Sequence, residues 1–503
     1  MDIVLQGFRT VLQPQYLIYM FGGVALGLFI GFLPGLSGGM GIGLMLPFTF
    51  HMQPLTALVF LCSIYTGGIF GGAVTAILLN TPGAPANLST VLDGYPMARN
   101  GQPERAMGIS LMSSTIGGLV GTIVLILLAG PLASFSLKFG PGEMFFVAIF
   151  GLTIVGSLAD NVLKGVFSGL FGILLGTIGT NTNGIVRGTM GSVFLMDGIP
   201  EIPALLGLLA LPAIYELAGR KKAVLQVDSM SKGMGTLKGL LQGFKDTLKR
   251  IVQSLLCSIL GVIVGIIPAA GSTIAGMLGY NWSKNLSKNG DKFGTGVPEG
   301  IVGPESANNA SEGGALATMF VLGIPGSTAT AMMLGALALQ GWAVGPKMFV
   351  DHADVIYTAF SSLFCQQFVM LLLGVCLCLL GARLIKIPVR YLMPVILVFA
   401  ITGAYSNRYL QFDCFLIVGF SILGYLMKKT GFPPMPMILG LLLGGMADSE
   451  LLRINQLFDS FWEIFKSPIV VVLALVSLIS VFLPFIMKEV KRSRRIYEKQ
   501  EKH

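Results

Sequence analysis

Polar side chains gather at two pairs of proline- and glycine-containing loops that interrupt apolar stretches of the sequence. Proline ends a helix, and glycine permits turns that expose backbone N–H and C=O groups. A helix that restarts after such a turn presents free N–H groups and a partial positive charge, which suit a carboxylate, while unwound carbonyls can hold a cation. The loop residues predicted to bind substrate or ion are Ser37, Asn80, Thr81, Gly83 and Asn87 in the first pair, and Ser272, Thr273, Gly326, Ser327 and Thr328 in the second.

Few ionisable residues accompany these loops. Asp93 follows the Asn80 loop, and Glu305 begins a polar run that continues through Asn308 and Asn309. The two asparagines can coordinate a cation or hydrogen-bond a substrate, and Glu305 can take part in ion coupling. The alternative is a solvated loop end or a helix cap, and the sequence does not decide between the two.

The composition places these residues in a membrane protein. Of 503 residues, 53% are hydrophobic and only 11% are charged, whereas soluble domains carry roughly 25% charged residues. Because a helical span uses about 20 apolar residues, we expect an all-α polytopic fold with about 10 to 14 hydrophobic segments. The apolar segments lie near 16–33, 54–79, 106–130, 143–159, 162–179, 203–218, 251–270, 313–339, 355–380, 391–405, 410–427, 434–447 and 468–487.

The second half of the chain repeats motifs of the first half in the same order. The paired motifs are Gly27, Gly31 and Pro34 with Gly261, Gly265 and Pro268; Gly71-Gly72 leading to Pro82-Gly83 with Gly313-Gly314 leading to Pro325-Gly326; Pro141 and Gly156 with Pro388 and Gly403; and Pro200 and Pro203 with Pro433 and Pro436. Because the chain has 67 glycines, any one match is expected by chance. Four matches in the same order are not. We therefore predict two membrane repeats, residues 1–218 and 251–450, with re-entrant or broken helices.

Basic residues orient the predicted repeats. The net charge of +9 is concentrated in a linker at 219–250 and a tail at 488–503, and such charge beside apolar spans is typical of cytoplasmic segments. Residues 451–487 then form a connecting segment and one extra C-terminal helix. The two repeats are expected to have inverted topology, which requires an odd number of crossings in each. Because each half shows six segments, one segment must be re-entrant or one crossing has been missed.

Breaks inside membrane helices have two physical explanations. Glycine hinges at tight helix crossings need no ligand, and a single Pro-Gly loop favours that explanation. In lipid, an unwound backbone persists only where protein or a wet cavity supplies hydrogen-bond partners. Four paired loops with polar side chains favour a site, so we predict that they line one cavity near mid-membrane. A larger side chain at Gly83 or Gly326 is then expected to reduce transport more than the loss of one hydroxyl does.

Several function classes lack their sequence signatures. The three histidines are far apart and the six cysteines form no CxxC pair, so neither a metal cluster nor a Ser-His-Asp triad is expected. No GxxxxGK[ST] motif occurs, so energy must come from a gradient or another polypeptide. The basic runs lack interleaved aromatic residues, which argues against nucleic-acid binding. We predict no catalytic residue, resident metal or cofactor; an intramembrane enzyme and a channel are the rival classes.

Four segments resemble the large membrane subunit of the tripartite tricarboxylate transporter family (the TctA family). They are residues 80–87, Asn-Thr-Pro-Gly-Ala-Pro-Ala-Asn; 92–99, Leu-Asp-Gly-Tyr-Pro-Met-Ala-Arg; 304–310, Pro-Glu-Ser-Ala-Asn-Asn-Ala; and 322–327, Leu-Gly-Ile-Pro-Gly-Ser. The resemblance extends over roughly residues 16–450, which is nearly all of the membrane part, and the combination of motifs is specific.

The resemblance implies a secondary transporter that imports a small carboxylate of the tricarboxylate or dicarboxylate class, such as citrate. It implies symport with Na⁺ or H⁺, and a transported Na⁺ would use the same loops. It also implies two partners, a small multi-span membrane subunit and an extracytoplasmic solute-binding receptor. The expected location is the bacterial cytoplasmic (inner) membrane. A self-sufficient symporter of an organic anion and an ion is the alternative function.

Overall fold

The computed structural model is almost entirely helical, as expected of an all-α polytopic membrane protein. It describes residues 2–33, 36–49, 52–157, 161–181, 183–212, 215, 236–267, 271–342, 344–384, 394, 397–398, 401–402, 404–405 and 408–479. Several predicted features lie outside these residues: Pro34-Gly35, residues 268–270, most of the basic linker, most of the segment 391–405, and the basic tail 488–503.

The chain divides into two compact units, and each unit takes segments from both predicted repeats. The first unit comprises residues 1–137 and 205–421. Its helices are α1 (Asp2–Val11), α2 (Pro14–Phe32), α3 (Gly38–Thr49), α4 (Pro54–Leu79), α5 (Leu88–Arg99), α6 (Pro103–Ser136), α10 (Leu237–Leu248), α11 (Ile251–Ile266), α12 (Gly271–Leu286), α13 (Glu299–Leu322), α14 (Thr328–Leu339), α15 (Pro346–Asp351) and α16 (Ala353–Leu384). Short 3-10 turns lie at Pro85–Asn87 and Gly290–Lys292.

The second unit comprises residues 138–204 and 422–503. Its elements are α7 (Pro141–Ser157), α8 (Val162–Gly176), the antiparallel strands β1 (Gly179–Thr180) and β2 (Val186–Arg187), 3-10 turns at Val193–Leu195 and Phe461–Lys466, α18 (Pro434–Leu457) and the apolar helix α19 (Pro468–Ile479). Helix α8 packs closely on α18, because the glycines of both helices leave room for the facing backbone. Arg187 Nη1 donates to Asp448 Oδ1 at 3.0 Å and ties the strand pair to α18.

Two further helices contribute residues to both units. They are α9 (Glu201–Leu205), which continues as a π-helical turn at Leu206–Ala210, and α17 (Gln411–Thr430). Within the described residues, six helices are long and apolar enough to cross a membrane, namely α2, α4, α6, α16, α17 and α18. Helices α10 and α11, bent by 74° at their junction, form a seventh if they act as one span. Proline at the first turn starts many of these helices, where its missing N–H needs no partner.

Equivalent positions of the two predicted repeats make equivalent contacts. Gly27 of α2 packs against the carbonyl of Ile64 in α4, and Gly261 of α11 packs against the carbonyl of Ala307 in α13. The same holds for Gly31 with Gly68 and Gly265 with Ser311, and for Gly71 with Leu28 and Gly314 with Val262. Small residues let the paired backbones approach this closely. The shared contacts support the predicted repeat within the first unit.

The contacts also correct the register of one motif pair. Sequence matching aligned Gly71-Gly72 with Gly313-Gly314. In the structure Gly71 and Gly314 occupy the equivalent crossings, so Gly72 corresponds to Ala315. Gly313 instead lies against Gly121 of α6. The glycine doublet was misleading because glycine marks two different close approaches on α13.

The predicted segment boundaries were wrong in two respects. The segment 313–339 is two helices, the second half of α13 and all of α14, joined by the loop 323–327. Helices α3, α5 and α12 were not among the predicted segments. Glycines and polar residues dilute the apolar signal of α5 and α12, and α3 is apolar but only 12 residues long, too short for a membrane span.

Candidate functional site

The polar run of the second repeat lies inside a buried helix. Glu305 is in the second turn of α13, and residues 299–321 are all buried. The alternative of a solvated loop end or helix cap is therefore wrong for Glu305. Glycine-lined crossings bring α6, α11 and α12 against α13, so its side chains face protein rather than water.

Hydroxyl groups from two helices of the first repeat surround the Glu305 carboxylate. Thr90 of α5 donates to Oε1, and Ser114 of α6 donates to Oε2 at 2.7 Å. The side chains of Asn87 and Ser110 also approach the carboxylate. No lysine or arginine of the described chain forms an ion pair with Glu305. The site is therefore acidic and neutral-polar, without a compensating cation from the described residues.

The asparagines beside Glu305 carry polar atoms that no described residue satisfies. Asn309 Nδ2 donates to the carbonyl of Glu305 at 3.0 Å, but its Oδ1 has no partner. Both amide atoms of Asn308 lack a partner, although the residue is buried. Asn87 Nδ2 donates to the carbonyl of Ile69 at 3.3 Å, while its Oδ1 is unpaired. Unpaired buried polar atoms are costly, so they mark places prepared for a ligand or water.

The starts of broken helices from opposite repeats meet in the first unit. A Cβ added to Gly39, in the first turn of α3, would lie 2.9 Å from the Ala329 nitrogen and 3.1 Å from Thr328 Oγ1 at the start of α14. A Cβ added to Gly271, the first residue of α12, would lie 3.6 Å from the carbonyl oxygen of Gly326. The starts of α3 and α12 therefore adjoin residues 326–329, where the loop ends and α14 begins.

Helix α12 of the second repeat likewise contacts the first-repeat loop, residues 80–87. A Cβ added to Gly276 of α12 would lie 3.1 Å from the carbonyl oxygen of Ala86, which precedes α5. It would also lie 3.9 Å from the Cβ of Asn308. Helix α3 thus packs on the loop of the second repeat and α12 on the loop of the first, which is the arrangement expected from a two-fold relation. The predicted single cavity stays a prediction.

Ser327 is the most connected side chain of the second-repeat loop. It caps α14 in a capping box, in which its Oγ accepts from Thr330 N at 3.2 Å and its own N–H donates to Thr330 Oγ1 at 2.8 Å. Its hydroxyl also lies 3.2 Å from the Tyr65 hydroxyl of α4. Ser327 therefore fixes the direction of α14 and joins the two repeats.

Three predicted hydroxyls lie at the starts of α3 and α12. Ser37 is half-buried and accepts a hydrogen bond from Met40 N at 3.3 Å, as a residue just before a helix commonly does. Ser272 and Thr273 are half-buried in the first turn of α12. All three therefore lie beside the helix starts that meet at the second-repeat loop.

Gly83 and Gly326 occupy equivalent close approaches. A Cβ at Gly83 would overlap the carbonyl oxygen of Gly31 and the Cα of Gly72. A Cβ at Gly326 would lie 2.7 Å from the Cα of Ala315 and 3.1 Å from the carbonyl oxygen of Gly265. Bulk at either glycine thus disturbs packing before any ligand is involved.

Asp93 and the start of the Asn80 loop have different surroundings. Asp93 is buried and accepts from the backbone N–H groups of Gly294, Gly296 and Val297 at 2.8 to 3.0 Å. It also accepts from the Tyr280 hydroxyl at 2.9 Å, so its described contacts anchor the loop before α13. The structure does not bring it to the Glu305 shell.

Asn80 ends α4 in a left-handed conformation, with φ of 54°, and is exposed. Gly323 ends α13 in the same conformation, so the two positions are equivalent helix ends. Thr81 Oγ1 donates to the carbonyl of Leu79 at 3.2 Å. These contacts are those of a helix terminus, and binding roles for both residues stay predictions.

Sequence reasoning missed a second buried carboxylate. Glu312 lies two turns beyond Glu305 on α13 and accepts from Thr66 Oγ1 of α4 at 3.2 Å. The same hydroxyl lies 3.3 Å from Gln366 Oε1 of α16. The signal was the seven-residue spacing of Glu305 and Glu312, which places both carboxylates on one side of a helix. That spacing is informative only once the run is known to be helical.

Comparisons with known proteins agree with these features. A family model described as the tripartite tricarboxylate transporter TctA family matches residues 17–439. The "uncharacterized 52.8 kDa protein in TAR-I ttuC' 3'region" of Agrobacterium vitis is 34% identical over 449 residues, covering 89% of this chain and 88% of that protein. The "uncharacterized protein in TAR-II ttuC' 3'region" of the same organism is 36% identical over 186 residues, covering 37% of this chain and 77% of that protein.

No solved structure matches the chain significantly. The family match covers residues 17–137 and 205–421 of the first unit, including the loops, the helix starts and the α13 carboxylates, and it extends into the second unit. The chain therefore belongs to the tripartite tricarboxylate transporter TctA family, and it is a multi-pass membrane protein of a transporter family.

Proposed function

We propose that this chain is the large membrane subunit of a receptor-dependent secondary transporter that imports a small carboxylate. The observation that carries the proposal is the meeting of helix starts from opposite repeats at residues 326–329, the end of the second-repeat loop and the start of α14. Each helix start has backbone N–H groups that lack an intrahelical partner, and it carries a partial positive charge. A serine side chain accepts from one of these groups in α3 and from one in α14. Several helix starts around one loop make an environment that favours an anion.

The recognition chemistry relies on neutral donors. The four loops at 33–39, 80–87, 267–273 and 323–330 contain no lysine or arginine. Backbone N–H groups and side-chain hydroxyls are then the donors for the carboxylates of the substrate. The unpaired Nδ2 of Asn308, beside the contact between α12 and Ala86, adds a buried donor. Neutral donors release an anion more readily than a buried cation would, because no strong ion pair must be broken.

Membership of the TctA family supports the proposed partner proteins and the proposed energy source. A small multi-span membrane subunit and an extracytoplasmic receptor complete the transporter, and the receptor delivers the acid to the outer face. A gradient of Na⁺ or H⁺ across the bacterial cytoplasmic membrane drives uptake, since the sequence holds no ATP-binding motif.

Uptake in reconstituted vesicles tests the proposal. The chain and its small subunit are reconstituted, the receptor is added outside, and a panel of radiolabelled mono-, di- and tricarboxylates is offered. The acid that best protects the receptor from thermal unfolding should be accumulated, and an ionophore should abolish its accumulation. Omitting the receptor should reduce the initial rate to that of empty vesicles.

Two results would contradict the proposal. Full uptake without receptor would identify a self-sufficient symporter instead. Equal movement of all acids down their gradients, unaffected by the ionophore, would identify a channel.

A further inference from the structure

An apolar pocket lies between two helices of the second unit. Its volume is about 470 Å³, and all of its lining residues belong to that unit. The lining consists of Phe167, Ser168 and Phe171 of α8, Leu423 and Met427 of α17, and Phe432 of the loop that follows α17. Pockets for small molecules have volumes of about 300–1,000 Å³. The size and the lining therefore suit a hydrocarbon chain.

A lysine ammonium group is fixed at one end of this pocket. Lys164, in the first turn of α8, donates from Nζ to the carbonyl oxygen of Thr430 at 2.5 Å. The same Nζ lies 5.1 Å from the ring centroid of Phe432, which lines the pocket. The turn at Gly431, with φ of 74°, permits this approach, because a Cβ there would lie 3.3 Å from Nζ. An ammonium group has three donors, so one hydrogen bond leaves donors for an anion.

Two more lysines add positive charge at the same end of the pocket. Lys428 and Lys429 are exposed in the last turn of α17. Basic residues next to apolar spans are typical of cytoplasmic ends. The predicted topology agrees, because α18 begins just after this loop and carries Gln456, predicted to lie outside, near its far end. We therefore expect the lysines at the level of the lipid headgroups of the cytoplasmic leaflet.

One buried hydroxyl in the pocket has no hydrogen-bond partner among the described residues. Ser168 is 2% exposed, and its Oγ is unpaired. It lies four residues after Lys164, which places it on the same face of α8 and about 6 Å farther from the start of that helix. An unpaired buried hydroxyl is costly, so Ser168 marks a place for an oxygen atom of a ligand. The ester carbonyl groups of a glycerophospholipid lie deeper in the membrane than its phosphate, as Ser168 lies deeper than Lys164.

We infer that the pocket between α8 and α17 binds one anionic phospholipid of the cytoplasmic leaflet. Lys164 and the two neighbouring lysines bind the phosphate, and Ser168 donates to an ester carbonyl. An acyl chain fills the pocket and covers the rings of Phe167 and Phe171, which are 64% and 44% exposed. A lipid with a choline headgroup binds less tightly, because its own cation lies beside the lysines. The inference concerns the second unit alone and does not depend on the proposed function.

Lipid binding to the purified, delipidated protein tests the inference. Native mass spectrometry counts the bound lipids while phosphatidylglycerol, or phosphatidylcholine with the same acyl chains, is added, and the melting temperature is followed in parallel. The wild type should retain one phosphatidylglycerol per chain, which should raise its melting temperature more than phosphatidylcholine does. Lys164→Gln should weaken this binding by about tenfold or more, and Ser168→Leu, which fills the pocket, should abolish it. Lys138→Gln removes an exposed charge elsewhere in the same unit, and this matched control should bind as the wild type does.

Size-exclusion chromatography shows whether each variant is folded. If Ser168→Leu is not, Ser168→Ala replaces it, because it removes only the hydroxyl. It should weaken phosphatidylglycerol binding by about two- to tenfold and leave the melting temperature without lipid unchanged. Equal retention of the two lipids by the wild type, or unchanged binding in Lys164→Gln, would overturn the inference. Loss of the bound lipid whenever the small membrane subunit is present would assign the pocket to that subunit and would also overturn it.

Discussion

Helices α4 and α13 occupy equivalent places in the two repeats but differ in chemistry. Both are buried along nearly their whole length, and both receive a glycine-rich partner, α2 or α11, at matching positions. Where α4 carries Cys62, Tyr65, Thr66 and Ile69, α13 carries Glu305, Asn308, Asn309 and Glu312. The glycines that set the crossings are shared, whereas the polar residues are not.

This difference distinguishes the residues that set the helix packing from the residues that form the polar site. Close helix crossings need small residues wherever the backbones meet, so both halves carry them at equivalent positions. A buried carboxylate needs a shell of donors and a compensating charge, so one copy suffices and a second would be costly. The first repeat instead supplies the donors, because Thr90, Ser114 and Thr66 all point their hydroxyls at carboxylates of the second.

The largest effect is expected at the shared glycines. Gly83→Ala places a methyl group against the backbone of two helices, and overpacking of this kind typically costs about 1–3 kcal/mol or more. Gly326→Ala meets Ala315 at a longer distance and should be milder. Gly22→Ala, where no atom lies within 4 Å, should be neutral. The yield of monodisperse protein in size-exclusion chromatography should follow that order, and equal yields would show that the crossings are looser than described.

The next-largest effect is a difference in uptake rate between variants at equivalent positions of α13 and α4. Glu305→Gln should lower the initial uptake rate by about tenfold or more, because the amide nitrogen that replaces one carboxylate oxygen cannot accept the hydrogen bond from Thr90 or Ser114. Cys62→Ala, at the equivalent place on α4, should change the rate by less than about twofold. Rates per folded protein in vesicles measure both. Similar losses in the two variants would mean that the repeats share the chemistry after all.

Asn308→Ala should reduce uptake without reducing stability. Its amide makes no hydrogen bond with described residues, so truncation removes nothing from the folded state except packing. One lost hydrogen bond to a charged carboxylate is worth about 1.5–3 kcal/mol, which raises the substrate concentration for half-maximal uptake by about tenfold or more. A lower melting temperature with normal uptake would assign Asn308 to structure alone.

The smallest effect is expected at Ser327→Ala. The first repeat has Ala84 at the equivalent place, so the fold tolerates alanine there. Loss of the helix cap should cost about 1 kcal/mol of stability, and loss of one neutral hydrogen bond to substrate about 0.5–1.5 kcal/mol of affinity. Thermal melts and uptake kinetics separate the two contributions. Complete loss of transport in a stable Ser327→Ala protein would give this hydroxyl a direct and dominant role.

Repeated motifs made much of the scaffold predictable from the sequence. Proline and glycine at matched spacings located the four loops, and the apolar segments located most long helices. The continuity of α13 was not predictable in this way, because Glu305, Asn308 and Asn309 are equally consistent with a solvated loop end until the helices that bury them are known.

The partners within the site depended on tertiary contacts. Thr90 and Ser114 reach Glu305 from residues about 200 positions away in the chain, and no local pattern marks such pairs. No local sequence pattern shows that α3 contacts the second-repeat loop and α12 the first-repeat loop, although the repeat itself indicated a two-fold relation. The pairing of Gly71-Gly72 with Gly313-Gly314 shows the limit of motif matching, since the correct register can be assigned only from the backbone atoms that these glycines contact.

The opposite orientation of the two repeats tests the central claim most directly, because the proposed site is built from loops exchanged between two inverted repeats. Ser231→Cys lies in the basic linker and Gln456→Cys near the end of α18; each is made after replacement of the six native cysteines. A membrane-impermeant maleimide is applied to right-side-out and inside-out vesicles. Ser231→Cys should be labelled only from the cytoplasmic side and Gln456→Cys only from the outside. Labelling of both from the same side would contradict the inverted repeat and the two-sided site built on it.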